Sequence, residues 1–494
     1  MTHPLEAEIV AWLSPLSQRT IDTACAHVFL TADSALKMKR HDNLGYVDFT
    51  TPERRFWALE RELEFNRPAA PDIYRKVRRI TREPDGSLAI DGGGTTLDHL
   101  LEMRRFDETA VLSACPERVT GDLAEKLGRT IAGFHRDAPL RPAGGLTALS
   151  WSVGSNAQLL RETCEGLDKA RVDLMIDLTE AELERQAPLL AHRSATGFAR
   201  RCHGDLHLGN ILLEGGRTVL FDCIEFSDIL SDLDVQYDLA FLLMDLAFRG
   251  RQDAAVRTLS AYLDEAGRNF PAEIWDGLAA LPLMLSVRAA VRAHVCAHSG
   301  DPAKARAYVE AAIEHLSPVA PALMAVGGFS GSGKSSFARA IAPSLGASPG
   351  AVILRTDEVR KRLLNVPPTQ VADAASYAPA AYAATYDELF ANARALLKAG
   401  RAVVLDASFI DPELRARAEA LAYEVGVPFR AAWLDAPADL LEARIAGRTG
   451  DASDVTVDIL RQQLARGPGT LSWPVVDATA SVDDAAMAWI DANP

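Results

Sequence analysis

Residues Gly328-Phe-Ser-Gly-Ser-Gly333-Lys334-Ser335 match G-x-x-x-x-G-K-[ST] in full, directly after the apolar run LMAV and directly before a stretch of helical character. A strand that turns through such a loop into a helix aims backbone N–H groups at a phosphate, and the helix N-terminus adds partial positive charge. This feature commits the last third of the chain to strand–helix alternation. AVIL, AVVL and FRAAWL are further short apolar runs, separated by helical segments. One segment, from Asp387 to Lys398, sets Leu389, Phe390, Ala393, Leu396 and Leu397 on one face and stops at Gly400. Another opens with Asp411 as N-cap and Pro412 at the first helical position. Such alternation argues for a parallel sheet of βαβ units.

Within this module Gly328, Gly331 and Gly333 let the loop curl, Lys334 meets the β- and γ-phosphates, Ser335 is a Mg²⁺ ligand and Ser336 starts the helix beside it. Asp406 closes the strand AVVLD, where an acid holds Mg²⁺ through water. Asp357 closes AVILRTD, and at the carboxyl ends of parallel strands both acids face the phosphate crevice. Asp357 is read as a general base or a ligand of the acceptor hydroxyl, with an N-cap as the plainer alternative. Arg444 and Arg448 share a helical face at i, i+4, either as a lid over the phosphate or as a solvated basic face.

At 494 residues the chain is long enough for at least two domains, and 48% hydrophobic against 24% charged residues supports more than one core. Lys plus Arg is 52 against 67 Asp plus Glu, a net charge of -15, which opposes non-specific binding to nucleic acid. Cys25, Cys115, Cys164, Cys202, Cys223 and Cys296 are too dispersed for a disulfide scaffold or a zinc ribbon. The start, MTHPLEAEIVAW, lacks a signal-peptide pattern, and the richest apolar segment, LAFLLMDLAF, is cut by Asp245. A cytoplasmic protein with no membrane association is the expectation. His294 and His298, four apart on a probable helix, either ligate a metal or serve structure.

A second constellation lies at His203-Gly-Asp205-Leu-His207-Leu-Gly-Asn210, followed by ILL, a turn at Glu214 to Arg217, and TVLF with Asp222. Read as a hairpin, the two runs bring their outer ends together, so Asn210 and Asp222 become neighbours with Asp205 on the loop beside them. Two oxygen ligands for Mg²⁺ and a carboxylate base are the minimum for phosphorylating a hydroxyl. A polar loop or a His/Asp metal cluster of another kind are the alternatives. His203 and His207 suit loop-fixing hydrogen bonds better than metal ligation, and Cys202 and Cys223 suit burial better than redox control.

The C-terminal segment, with its phosphate loop, the T-D-x-x-R stretch at Thr356, Asp357 and Arg360, and the two lid arginines, resembles P-loop small-molecule kinases of the gluconate kinase, polynucleotide kinase and zeta-toxin type. That resemblance implies a five-stranded parallel sheet and transfer to a hydroxyl. The stretch from His203 to Asp222 resembles the catalytic loop of aminoglycoside and choline phosphotransferases, relatives of protein kinases. Asp205 then matches the catalytic base, Asn210 and Asp222 the metal ligands, and Asp234 with Asp238 a supporting acidic stretch. An upper lobe follows from the resemblance: Ser34-Ala35-Leu36-Lys37 has the form of V-A-I-K, Lys37 holds the nucleotide phosphates, and Glu62 in LEREL pairs with it. Glu60 is a weaker partner and Lys39 shares the face of Lys37. Met103, between Glu102 and Arg104, falls at the hinge that meets adenine. No G-x-G-x-x-G precedes Lys37, only the turn Thr31-Ala32-Asp33.

Taken whole, through HVFLTADSALKMKR, the FDCIEF and LAFLLMDL stretches, the phosphate loop and DASD at Asp451 to Asp454, the chain is similar to the bacterial family labelled bifunctional aminoglycoside phosphotransferase/ATP-binding protein. The fold class this implies is an α/β and α+β multidomain protein. A two-lobed protein-kinase-like domain occupies 1–318, its upper lobe about 1–105 and its lower lobe about 106–318, and a P-loop domain with a parallel sheet occupies 319–494. The implied cofactors are ATP and Mg²⁺, and the partners small hydroxylated substrates, with no obligate protein partner evident. Three functions compete: two kinases on one chain, one kinase gated by a nucleotide-sensing P-loop module, and a nucleic-acid or toxin-like kinase using a basic groove beside Arg360 to Arg362. SPVAPA, with Pro318 and Pro321, is a plausible linker. The expectation is that limited proteolysis nicks near Ser317 to Ala322 and that each half then folds alone, read by mass spectrometry and the solubility of the fragments.

Overall fold

The computed structural model describes residues 3–23, 25–43, 47–162, 166–368, 370–371, 378–447, 455–479 and 481–492. The chain forms two compact units, Met1–Pro116 with Cys202–Asp232, and Glu117–Arg201 with Leu233–Pro494.

In the first unit six antiparallel strands, β1 (Arg19–Asp22), β2 (Ala26–Leu30), β3 (Ser34–Lys39), β4 (Tyr74–Arg82), β5 (Leu88–Ile90) and β6 (Thr95–Arg104), lie in the order β1-β2-β3-β6-β4-β5. Alternation along β3 sends Leu36 and Met38 into a core with Phe29, Ile80 and Leu100, leaving Lys37 and Lys39 together on the other face. A helix, Pro52–Asn66, packs there through Leu59 against Leu101 and Tyr74. Thr51 caps it by accepting from Arg54 N, and Pro52 sits at its first position. The hairpin Ile211–Glu214 and Arg217–Leu220 turns through Gly215 and Gly216, both at positive φ, as a two-residue hairpin loop requires. Its Leu212 joins the same core as Leu59 and Leu101.

The second unit joins helices to a five-stranded sheet in the order Val352–Arg355, Val403–Asp406, Leu323–Gly328, Phe429–Asp435, Val475–Asp477, every pairing parallel. The central strands are buried throughout, which is why they read as unbroken apolar runs. The linker at 317–322 does not delimit this unit. Helices Gly121–Asp137 and Gln252–Ala266, both N-terminal to the linker, meet the P-loop module directly. Ser260 Oγ accepts from Ile353 N at 3.0 Å, Arg362 donates to Asp264 at 2.6 Å, and Arg339 pairs with Glu125 at 2.8 Å. The helical run Ala272–His298 has the length and hydropathy of a membrane span, and 78% of its most apolar window is buried in the fold, as in a core helix.

His315 ends the helix Pro302–Leu316, and burial together with the nearby Arg401 pushes its imidazole from 6.5 down to about 4. The folded protein holds it neutral while the unfolded chain protonates it near its ordinary value. Its contribution is therefore present above about pH 6.5 and lost as pH falls toward about 4. Thermal unfolding across this window should show His315→Gln losing less stability on acidification than wild type.

Candidate active sites

The first site is built around Glu62, which the Pro52–Asn66 helix carries beneath β3. Its Oε1 accepts from Lys37 Nζ at 2.7 Å and its Oε2 from Lys39 Nζ at 2.7 Å. Burial pushes the Glu62 carboxyl up, but Lys37 and Lys39 outweigh it and hold it at about 2. Lys37 also lies 3.6 Å from Asp222 Oδ1, and Lys39 reaches Glu225 Oε1 at 2.8 Å. Burial raises Glu225 above the usual carboxylate range even against Lys39. Glu60, the alternative partner, lies on the exposed side of the helix.

The loop His203 to Asn210 is fixed by its histidines. His203 Nδ1 accepts from Asp205 N at 3.3 Å, so Nε2 carries the proton it donates to Phe221 O at 2.9 Å. His207 Nδ1 accepts from Gly209 N at 2.9 Å, and its Nε2 lies 3.3 Å from Asp205 Oδ2. Asn210 Nδ2 donates to Asp205 Oδ2 and Asp205 O, both at 2.9 Å. At the hairpin's outer end Phe221 N bonds Asn210 O at 3.1 Å, which sets Asp222 beside Asn210. Asp222 has φ 63, a costly conformation for a non-glycine residue. It is held on both sides: its N–H donates to Tyr74 Oη at 3.1 Å, and Cys223 N donates to Asn66 Oδ1 at 2.7 Å. Lys37, Met103, Asp205 and Asp222 line one cleft of about 540 Å³, with Phe106 and Phe221 on its walls. Nothing local in the sequence marks Asn66 or Tyr74 for this site, and Glu225 stands there only as an acid three residues after Asp222.

Asp234 and Asp238 lie in the second unit. Asp234 caps the helix Val235–Phe248 and forms a buried bidentate pair with Arg193. Asp238 pairs with His135 at 3.1 Å and is 3.9 Å from Arg288. Cys202 and Cys223 are buried. Burial, His298 and Arg292 lower His294 to about 4, and among the described residues no cluster of three metal-ligating side chains includes it.

The second site follows the strand Leu323–Gly328. Gly328, Gly331 and Gly333 all have positive φ, and a Cβ on Gly328 or Gly331 would lie 2.5 or 2.7 Å from a backbone carbonyl oxygen. Gly333 caps the helix Lys334–Ile341. Lys334 donates to Phe329 O at 2.8 Å. Gly331, Gly333, Lys334, Ser335, Ser336, Asp357 and Asp406 line a cavity of about 240 Å³ with Arg339, Arg360 and Gln463. Asp357 sits inside the first turn of the helix Thr356–Leu363, does not cap it, and accepts from Arg360 Nη1 at 2.8 Å. Arg355 and Asp406 are register partners on adjacent strands. Arg355 Nε donates to Asp406 Oδ2 and Nη2 to Ser335 Oγ, each at 3.2 Å, and Nη1 lies 3.5 Å from Glu358 Oε1. Burial drives Glu358 up to about 7 despite Arg355. Nothing local in the sequence pairs Arg355 with Asp406; the register of the two strands brings them together.

Arg444 donates to Ala478 O at 2.9 Å and does not line the cavity. Arg448 and the DASD stretch at 451–454 lie outside the described residues. Arg360, Lys361 and Arg362 are buried, bonded to Asp357, Pro368 O and Asp264, so this run forms no exposed basic groove.

The family model described as Phosphotransferase enzyme family matches residues 55–280, and that described as AAA domain matches residues 323–468. The uncharacterized protein Rv2004c of Mycobacterium tuberculosis is 32% identical over 465 residues, covering 90% of this chain and 89% of that protein. The uncharacterized protein Mb2027c of Mycobacterium bovis gives the same values. Among solved structures, a choline kinase from Cryptosporidium parvum is similar over 63% of this chain and 94% of its own, at 10% identity and a TM-score of 0.42. A gluconokinase from Sinorhizobium meliloti covers 35% of this chain and 93% of its own, at 22% identity and a TM-score of 0.24.

Breaking a buried ion pair by removing one partner costs about 3–5 kcal/mol. Glu62→Ala leaves buried Lys39 with Glu225 and partly buried Lys37 with Asp222 at 3.6 Å, so the loss is expected at the lower end of that range, about 3 kcal/mol, in denaturant unfolding of the full chain. Glu60→Ala should stay within about 0.5 kcal/mol, as exposed substitutions do.

Proposed function

The chain belongs to the family that joins a phosphotransferase-enzyme domain to a P-loop kinase domain, both of them kinase domains, and on that premise we propose that each site transfers the γ-phosphate of ATP to a hydroxyl of a small molecule. The observation that carries the reading is that each cleft combines a phosphate-facing lysine with a carboxylate suited to act as base: Lys37 with Asp205, and Lys334 with Asp357. In the first cleft Lys37, oriented by Glu62, meets the nucleotide phosphates. Asp205, held by Asn210 and His207, takes the proton of the acceptor hydroxyl as that oxygen attacks. Asp222 and Asn210 would hold Mg²⁺: with Asn210 Nδ2 bonded to Asp205, the amide oxygen is its ligand atom, and oxygen donors suit this hard cation. In the second cleft the backbone N–H groups of the glycine-rich loop cradle the phosphates, Lys334 neutralises them, and Asp357 receives the acceptor's proton. Ser335 and Asp406 are oxygen donors fit for Mg²⁺ there. When bound, the ion would neutralise phosphate charge and orient the transferring group.

A second reading, in which the P-loop module senses nucleotide and gates the first site, is favoured by one feature. Glu125 and Arg129, in a helix within the phosphotransferase match, pair with Arg339 and Glu358 of the P-loop module.

A mass-spectrometric screen of hydroxylated metabolites with ATP separates the two. Under the two-kinase reading Asp205→Ala loses one set of phosphorylated products by about 10²–10⁴-fold while ATP affinity stays within a few-fold. Lys334→Ala loses a different set. Loss of a single shared set in both variants would favour gating instead.

A further inference from the structure

Asp406 is 5% exposed and closes its strand where an unpaired carboxylate would be costly. The chain supplies its own cation there. Arg355 reaches Asp406 Oδ2 through Nε and Ser335 Oγ through Nη2, each at 3.2 Å, so one guanidinium spans the two oxygen donors that the proposed function assigns to Mg²⁺. Two cations on the same pair of oxygens repel one another, so a metal ion and this guanidinium position exclude each other. A place for the displaced group already exists. Nη1 already lies 3.5 Å from Glu358 Oε1, three residues on in the first turn of the helix Thr356–Leu363. Glu358 is in turn bonded to Arg129 Nη2 at 3.1 Å, from the helix Gly121–Asp137.

We propose that Arg355 is a resident stand-in for the divalent cation of the P-loop site, a positioning residue that holds Ser335 and Asp406 in ligand geometry and passes to Glu358 when Mg²⁺-nucleotide enters. The inference rests on the reading of Ser335 and Asp406 as the metal-holding pair. Mg²⁺ affinity at this site is then set by competition with an internal cation. Because Glu358 is shared with Arg129, the hand-over also changes the pairing of a helix in the phosphotransferase domain.

The test uses the full chain in an Asp222→Ala background, which removes the first site's charged metal ligand, and follows binding of a fluorescent ADP analogue as Mg²⁺ is titrated. Arg355→Gln should lower the Mg²⁺ concentration for half-maximal binding by about 5- to 100-fold, the usual span of coupling between competing sites. Glu358→Gln, which removes the receiving carboxylate, should raise it. A second readout needs no nucleotide: Mg²⁺ alone should raise the melting temperature of Arg355→Gln more than that of the parent. Where Arg355→Gln does not fold, Arg355→Lys, which keeps the charge but loses the fork, should still lower the Mg²⁺ requirement. An unchanged or higher Mg²⁺ requirement in Arg355→Gln or Arg355→Lys overturns the stand-in role. Failure of the underlying reading looks different: Asp406→Asn would leave the Mg²⁺ dependence of the parent unaltered, or Lys334→Ala would leave its nucleotide binding intact.

Discussion

Glu62 has no exposed surface and two lysines to satisfy, and the first unit is organised around that constraint. One oxygen serves Lys37 and the other Lys39, so the strand and the helix cannot slide past one another without breaking a pair. Lys37 extends the arrangement to Asp222 and Lys39 extends it to Glu225. Both acids lie in the segment that follows the hairpin. A single buried carboxylate thus ties three pieces of chain, distant in sequence, to the place where phosphates are expected. A lone buried charge would be strongly unfavourable; the alternating chain of acids and bases makes the cluster tolerable and gives it one geometry.

The second unit follows the same logic with the charges reversed in emphasis. Arginines, not lysines, span it. Arg339 meets Glu125, Arg129 meets Glu358, and Arg362 meets Asp264, each contact linking a helix that precedes the linker to the P-loop module. Planar guanidinium groups suit these partly dry interfaces because they present several donors and are less strongly hydrated than ammonium. The contacts are dense enough that the proline-marked linker does not mark the edge of a compact unit.

Much of this was legible beforehand where chemistry and local pattern coincide. The phosphate loop announces itself through its glycines, two of which, Gly328 and Gly331, leave no room for a Cβ beside backbone, and four of the five parallel strands appear as apolar runs. The fifth, Val475–Asp477, has only three residues and partial exposure, so it carries no pattern to read. The neighbourhood of Asn210 and Asp222 follows from hairpin arithmetic, because an antiparallel pair returns the chain to its start. The ion pairs beyond Lys37 and Glu62 were not visible. Glu225, Arg355 and Glu358 have ordinary surface-residue identities, and only the fold buries them opposite a charge. Tyr74 and Asn66, which hold the backbone at Asp222, are likewise set by tertiary proximity alone.

The left-handed backbone of Asp222 has a consequence for how such a protein changes over time. A residue with a Cβ is strained at φ 63, and glycine is not. In the role proposed for Asp222, metal binding favours the carboxylate while a relaxed backbone favours glycine at this one position. In a lineage that no longer used the first cleft, replacement by glycine would relieve the backbone, and Lys37 would lose Asp222 at 3.6 Å while keeping its 2.7 Å bond to Glu62. Decay of the site would then register as a more robust fold. A descendant with glycine here and an otherwise intact cluster would be the signature of a domain kept as scaffold after its chemistry was abandoned.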